Sequence, residues 1–178
     1  MFTAQTRIEK LPVHRIIHAS NPDGLRLVPA QIGDCDAVLA LFGALHSYNA
    51  SLDPHFALSD DWQTILRSQF CATHDDPDML WLLVKDGDRP VGLLIAGVHT
   101  DSPLFRHGQW VEVQALYVAD SHRRRGIAGR LLDSVYAWAE ARHLPRVQLY
   151  VTASNVRAQS VYEADGFRAS QAIMRKSL

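Results

Sequence analysis

The feature that most constrains the fold of this chain is a pair of strand-like segments separated by a loop and an amphipathic segment. Residues 109–118 (QWVEVQALYV) and 146–153 (RVQLYVTA) are predicted strands. Between them, apolar residues recur at helical spacing: Ile127, Leu131, Val135 and Trp138. Two strands joined by a crossover helix run parallel in the same sheet. The sequence therefore predicts a sheet with at least one parallel pair.

The remaining pattern extends this unit into a mixed sheet. Upstream, it predicts a strand over 25–30, helices over 33–49 and 59–70, and strands over 79–84 and 91–98 joined by a turn at Asp86-Gly87. Downstream, it predicts a helix over 155–166 and a final strand over 167–178. The predicted fold class is α/β (α+β), in the order β-α-α-β-β-β-α-β-α-β with helices on both faces. Residues 1–23 are predicted to be a mobile N-terminal arm, and 24–178 a single domain.

Composition excludes several classes of function. The formal net charge of −1 gives no overall basic field, so we expect no nucleic-acid partner. No apolar run approaches the roughly 18 residues of a membrane helix, so we expect no membrane association. The two cysteines, Cys35 and Cys71, lack metal-ligand spacing and favour free thiols over a disulfide. Residues 1–23 contain no apolar signal core, and we expect a cytoplasmic protein without a bound metal.

The loop between the predicted strand 109–118 and the helix that follows it suits an anion. It reads HRRRGIAG and opens a helix, where backbone N–H groups lack intrahelical partners and the helix dipole adds partial positive charge. Gly126 and Gly129 permit close approach of the backbone, and the arginines add formal charge. Neither a P-loop nor a GxGxxG fingerprint is present. The loop alone is equally compatible with a pyrophosphate site and with a basic helix entry packed through glycine.

Two motifs favour the pyrophosphate site. The segment LYVADSHRRRGIAGRLL resembles the acetyl-CoA-binding motif of the GNAT superfamily of N-acetyltransferases, with Arg123, Gly126 and Ala128 at its defining positions. Downstream, SNVRAQSVYEADGF resembles a second signature of that family. Its matching residues are Asn155, Ala158, Tyr162, Gly166 and Phe167. The resemblance covers residues 91–178 closely and 25–90 only in the order of elements.

The resemblance implies a coenzyme site and catalytic roles. Acetyl-CoA would contact the strand backbone, the loop and the cap of the last helix, at Leu116, Tyr117, Val118, Arg123, Arg124, Arg125, Gly126, Ile127, Ala128, Gly129 and Asn155. The family's parallel strands splay where pantetheine inserts. Glu112 is the candidate base, since enclosure in an apolar strand would raise its pKa. Alternatives are that Glu112 is only a solvated strand residue or that a water chain from Gln114 serves instead. Tyr162 is the candidate acid for the leaving thiolate, and a packing role is its alternative.

The expected activity is acetyl-CoA-dependent transfer of an acetyl group to a primary amine, by direct attack in a ternary complex. The alternative is a non-catalytic acetyl-CoA-binding sensor or adaptor. The acceptor stays open. The segment HSYNASLDPHFALSDD suits a cationic amine through its acidic and aromatic residues, Asp53, Asp60, Asp61, Tyr48, His55 and Phe56. The alternative is that acids at the start of a helix serve only the helix dipole. A homodimer is also left open.

Overall fold

The computed structural model describes residues 24–106 and 108–176, so the arm predicted over 1–23 lies outside the described residues. The strands are β1 (Leu25–Pro29), β2 (Met79–Asp86), β3 (Arg89–Thr100), β4 (Gln109–Val118) and β5 (Val147–Leu149). The α-helices are α1 (Cys35–Leu52), α2 (Trp62–Thr73), α3 (Ile127–Glu140) and α4 (Val156–Ala164). Short 3-10 helices span Ile32–Asp34, Pro54–Phe56 and Asp120–His122.

The five strands form one mixed sheet in the order β1-β2-β3-β4-β5. The first four pair antiparallel with their neighbours, and β4 pairs parallel with β5. The parallel pair that the strand–helix–strand pattern predicts is therefore confirmed, with α3 as the crossover.

Helices cover both faces of the sheet, as predicted. On one face, α3 buries an apolar stripe against side chains of β2, β3 and β4; the stripe comprises Ile127, Leu131, Val135, Trp138 and Ala139. On the other face, α1 and α2 pack over a second core that includes Val38, Phe70 and Trp81. Two separate apolar layers fix which side of each strand faces which helix. Within the described part of the chain, no helix is long and apolar enough to span a membrane.

The strands β4 and β5 separate soon after they pair. Their register runs only from Val111 opposite Val147 to Val113 opposite Leu149. Among residues 24–106 and 108–176, no strand pairs with the β5 side of β4 beyond this point. The second half of β4 therefore presents unpaired backbone groups to a wedge-shaped opening.

A β-bulge interrupts β4 beside this opening. Ile95 pairs with Ala115 and Ala96 with Val113, which leaves Gln114 without a partner on β3. The extra residue resets the alternation of side chains, because Val111 and Val113 before it and Leu116 and Val118 after it all join the α3 side.

The predicted strand over 167–178 is wrong for the described residues, since 167–176 contain no regular secondary structure. Ile173 and Met174 are 74% and 95% exposed, so no apolar face stabilises a strand there. The strand predicted over 146–153 is shorter in the structure, where β5 spans only Val147–Leu149. The chain leaves the sheet after Leu149, and the next residue, Tyr150, is exposed.

Candidate functional site

A cleft of about 340 Å³ opens where β4 and β5 separate. Its walls are the end of β4, the loop that follows, the first turn of α3, one face of α4 and the end of α1. Every residue that the resemblance assigns to the coenzyme lines this cleft except Arg125, which is exposed and lies outside the lining. The sequence motifs, although far apart in the chain, thus meet at one site.

The backbone of the loop forms a concave turn. Arg124 has φ +62° and Gly126 has φ +70°, so two residues of the turn are left-handed. Gly126 is the N-cap of α3 and supplies no side-chain cap, which leaves the N–H groups of the first turn free for another acceptor. A Cβ built on Gly126 would meet no protein atom within 4 Å. The loop therefore combines free donors, open space and the positive end of a helix, which together suit a phosphate group.

Arg123 fastens the loop to the rest of the cleft. Its Nε donates to the carbonyl oxygen of Val118 at 3.0 Å, and its guanidinium pairs with the Asp120 carboxylate. The same guanidinium lies 5.7 Å from the ring centroid of Tyr48 and 5.8 Å from that of Tyr117. Because Arg123 is held by Val118, Asp120 and two aromatic rings, its side chain shapes the wall of the cleft. Of the three arginines in the loop, Arg124 is the one that is exposed and lines the cleft, so its charge is available to a ligand.

Asn155 and Tyr162 lie on the wall formed by α4. Asn155 is only 9% exposed, and its Oδ1 accepts a hydrogen bond from the N–H of Ala158 at 3.1 Å, as predicted for an N-cap. Tyr162 follows two turns later on the same face, and its ring packs edge-on against Phe167. Burial raises the pKa of the Tyr162 phenol above its ordinary value. The phenol therefore stays protonated at neutral pH.

Glu112 is farther from the cleft than the other candidates. It is half-buried, lies opposite Gly97 on β3 and Gln148 on β5, and does not line the cleft. Four residues of strand, or roughly 13 Å, separate it from Leu116. The side chain of Gln114 lies between them on the same face as Glu112, since a Cβ on Gly97 would come within 3.2 Å of its Nε2. The structure thus brings Tyr162 to the cleft but does not bring Glu112 into direct contact with it.

Some cleft residues were missed in the sequence. They are Leu45, His122, Arg157, Ala158 and Val161; the sequence predicts Tyr48 only for the acceptor side. His122 is 7% exposed, and its Nε2 lies 3.1 Å from Asp86 Oδ2, which ties the loop to the end of β2. The spacing of Ala158 and Tyr162 from Asn155 could have identified the α4 residues, but nothing local places α1 beside the loop.

Within the described ranges, no group of three or more His, Cys, Asp or Glu side chains is arranged to hold a metal ion.

Comparisons with known proteins agree with this geometry. The family model described as the acetyltransferase (GNAT) family matches residues 44–167. Mycothiol acetyltransferase of Beutenbergia cavernae is 36% identical over 102 residues, which are 57% of this chain and 32% of that protein. The chain therefore spans about a third of the length of that curated relative.

Solved structures share the fold. A mutant of the BH1408 protein of Bacillus halodurans superposes with a TM-score of 0.76 at 19% identity, covering 85% of this chain and 98% of the other. A Clostridium acetobutylicum protein described as a predicted acetyltransferase with acetyl-CoA has a TM-score of 0.69 at 14% identity, with 86% and 96% covered.

The family match covers more than half of the chain and includes both α4 and the loop that lines the cleft. The chain belongs to the GNAT acetyltransferase family.

Proposed function

We propose that the protein is an acetyl-CoA-dependent N-acetyltransferase that acetylates a primary amine by direct attack in a ternary complex. The observation that carries this proposal is the cleft. A turn with free N–H donors, a stretch of β4 with no partner on its β5 side and a half-buried tyrosine line one cavity at the point where β4 and β5 separate.

The residues present fit the coenzyme. The N–H groups from Arg124 to Gly129 would hold the pyrophosphate, because Gly126 leaves open the space that a side chain would fill. On the side of β4 away from β3, the free backbone groups of Leu116, Tyr117 and Val118 would pair with pantetheine as an additional strand does, apart from the Val118 carbonyl, which accepts from Arg123. One N–H of this stretch would donate to the acetyl carbonyl oxygen. Bound there, acetyl-CoA supplies the acetyl group as an activated thioester.

The chain must also provide a neutral amine. A lysine-like amine with a pKa near ~10.4 is neutral in only about one molecule in several thousand at pH 7. Glu112 is the proposed base, and its distance along β4 from Leu116 requires a bridging water. The bulge at Gln114 places an amide between the two, where it can orient that water or the amine itself.

Tyr162 is the proposed acid. It lines the cleft, and its raised pKa keeps the phenol protonated at neutral and mildly alkaline pH. A phenol beside the sulfur would donate its proton as the thiolate leaves. The edge-on contact with Phe167 holds the ring against the wall of the cleft and would fix its direction.

The proposed acceptor is a cationic amine. Beyond Tyr48, the corner after α1 places a carboxylate and an aromatic ring together. The guanidinium of Arg175 pairs with Asp53 at 3.2 Å and lies 5.5 Å from the ring centroid of Phe56. Carboxylate pairing and a cation–π contact are the interactions that recognise an organic cation. A second ammonium group of the acceptor would compete with Arg175 for this corner.

The test is release of coenzyme A thiol from acetyl-CoA in the presence of aminoglycosides, polyamines, amino acids or peptide N-termini. We expect amine-dependent release together with an acetylated product by mass spectrometry, favouring acceptors with two or more amines. Thermal stabilisation by acetyl-CoA without turnover on any amine would instead indicate a non-catalytic coenzyme-binding protein.

A further inference from the structure

Two cysteines face each other where α1 begins and α2 ends, away from the cleft. Cys35, in the first turn of α1, is 6% exposed, and Cys71, in the last turn of α2, is exposed. Both are free thiols, and Cys71 is close enough to act as a hydrogen-bond partner of Cys35. The sequence suggested free thiols but not that the two residues would be neighbours.

The guanidinium of Arg67 lies beside the buried thiol. Arg67 lies one helical turn before Cys71 on the same face of α2. Its Nη1 donates to Cys35 Sγ at 3.5 Å, and its Nη2 to Asp36 Oδ1 at 2.7 Å. Arg67 therefore holds a positive charge against the buried thiol. Neither cysteine lines the cleft, so acetyl transfer gives no reason for the arrangement.

We infer that Cys35 and Cys71 form a reversible oxidation site, at which a peroxide converts the two thiols into a disulfide that links α1 to α2. In the first step, the Cys71 sulfur takes one oxygen from hydrogen peroxide, which gives a sulfenic acid and one water. In the second, the Cys35 sulfur attacks the Cys71 sulfur, the S–S bond forms and the S–OH bond breaks. The hydroxyl leaves as water with the proton from Cys35, so two thiols and one peroxide give one disulfide and two waters.

The different environments of the two sulfurs assign the order of the steps. Exposure lets the oxidant reach Cys71 first. Burial raises the pKa of the Cys35 thiol, so this residue is a poor first nucleophile in spite of the opposing charge of Arg67. Once Cys71 is oxidised, the adjacent guanidinium stabilises the transient Cys35 thiolate as it attacks. Because the attacking sulfur is already beside its target, the disulfide should form faster than further oxidation of Cys71.

The experiment uses the full chain, treated with hydrogen peroxide and then with an alkylating reagent. We expect the titre of free thiols to fall from two to none, the mass of the protein to decrease by two hydrogen atoms, and dithiothreitol to restore both. Trypsin cuts after Arg26, Arg67 and Lys85, so the disulfide must join peptide 27–67 to peptide 68–85. The oxidised protein should melt several degrees higher than the reduced protein, because the bridge closes a long loop between two helices.

Single substitutions of the two cysteines and of Arg67 test the role of each side chain in the oxidation. Cys71→Ser, at an exposed position, should leave Cys35 as a thiol that resists peroxide, whereas Cys35→Ala should let Cys71 proceed to sulfinic acid. Arg67→Met should slow formation of the disulfide several-fold without preventing it. Sulfinic acid on Cys71 of the parent protein with Cys35 still reduced, or dimers joined through Cys71, would overturn the inference. This site is independent of the proposed acetyl transfer, since its readouts are thiols and masses.

Discussion

Replacing Gly126 by valine tests the turn that would hold the coenzyme. Gly126 has φ +70°, and a left-handed conformation costs a residue with a side chain about 1–2 kcal/mol, more when it is β-branched. No protein atom lies within 4 Å of the added Cβ, so this backbone cost should be the main loss of stability. The valine side chain would instead occupy the space beside the first-turn N–H groups. Losing two hydrogen bonds to a charged phosphate, at about 1.5 kcal/mol each, predicts an affinity for acetyl-CoA that is roughly 100-fold weaker.

Gly87 provides the matched control. It lies in the β2–β3 turn with φ +57°, and a Cβ there also meets no atom within 4 Å. Gly87→Val should lose a similar free energy of unfolding in urea, yet bind acetyl-CoA as the parent does in isothermal titration calorimetry. If Gly126→Val and Gly87→Val bind acetyl-CoA equally well, the pyrophosphate does not lie on this turn.

Three further substitutions test the proposed chemistry and one structural contact. Glu112→Gln should retain acetyl-CoA binding but lower turnover. The loss of turnover should shrink at high pH, because the amine deprotonates there without a base. Parallel pH–rate profiles of the variant and the parent would contradict the role of Glu112 as base. Tyr162→Phe should lower turnover at least about tenfold while the dissociation constant for acetyl-CoA stays unchanged. A thioester with a more acidic thiol should recover much of the lost turnover. Turnover near that of the parent would leave Tyr162 only a packing role. Burial raises the pKa of Asp34, but hydrogen bonds from Lys85 and from the N–H of Gln31 outweigh it, so the net pKa is lowered. The stability from Asp34 should therefore be present above the ordinary aspartate pKa and be lost as the pH falls below it. Asp34→Asn should cost about 1 kcal/mol at neutral pH in urea unfolding and little in strong acid, and equal costs at both would refute the pairing.

The strong local patterns of the sequence predicted most of the fold. The amphipathic stripe of α3 and the apolar runs of β2, β3 and β4 each bury one face, and burial of one face is what a periodic pattern records. The prediction of a final strand over 167–178 was wrong because a strand-like pattern is stabilised only where one face is buried. Strand-like residues such as Ile173 and Met174 have no neighbouring strand or core to bury them, and strand propensity depends on that context.

The walls of the cleft formed by the loop and α4 were also predictable, because the loop and the start of α4 are local signals at helix N-termini. The α1 wall was not, since only the packing of α1 over the sheet brings Leu45 and Tyr48 to the loop. The bulge at Gln114 left no pattern in the sequence, although it decides how the second half of β4 faces the opening. Of the three consecutive arginines, Arg123 and Arg124 line the cleft and Arg125 does not, a difference that the sequence of the turn alone does not show.

The most direct test of this account is a crystal structure of the protein with acetyl-CoA. We expect the pyrophosphate on the N–H groups from Arg124 to Gly129, and pantetheine beside Leu116, Tyr117 and Val118 in the opening between β4 and β5. We also expect the sulfur within reach of the Tyr162 hydroxyl. The groove between α1 and α2, lined by Asp36, Trp62 and Arg67, offers a larger cavity of about 560 Å³. Coenzyme bound in that groove, or a β4–β5 opening left without it at saturating acetyl-CoA, would contradict the account.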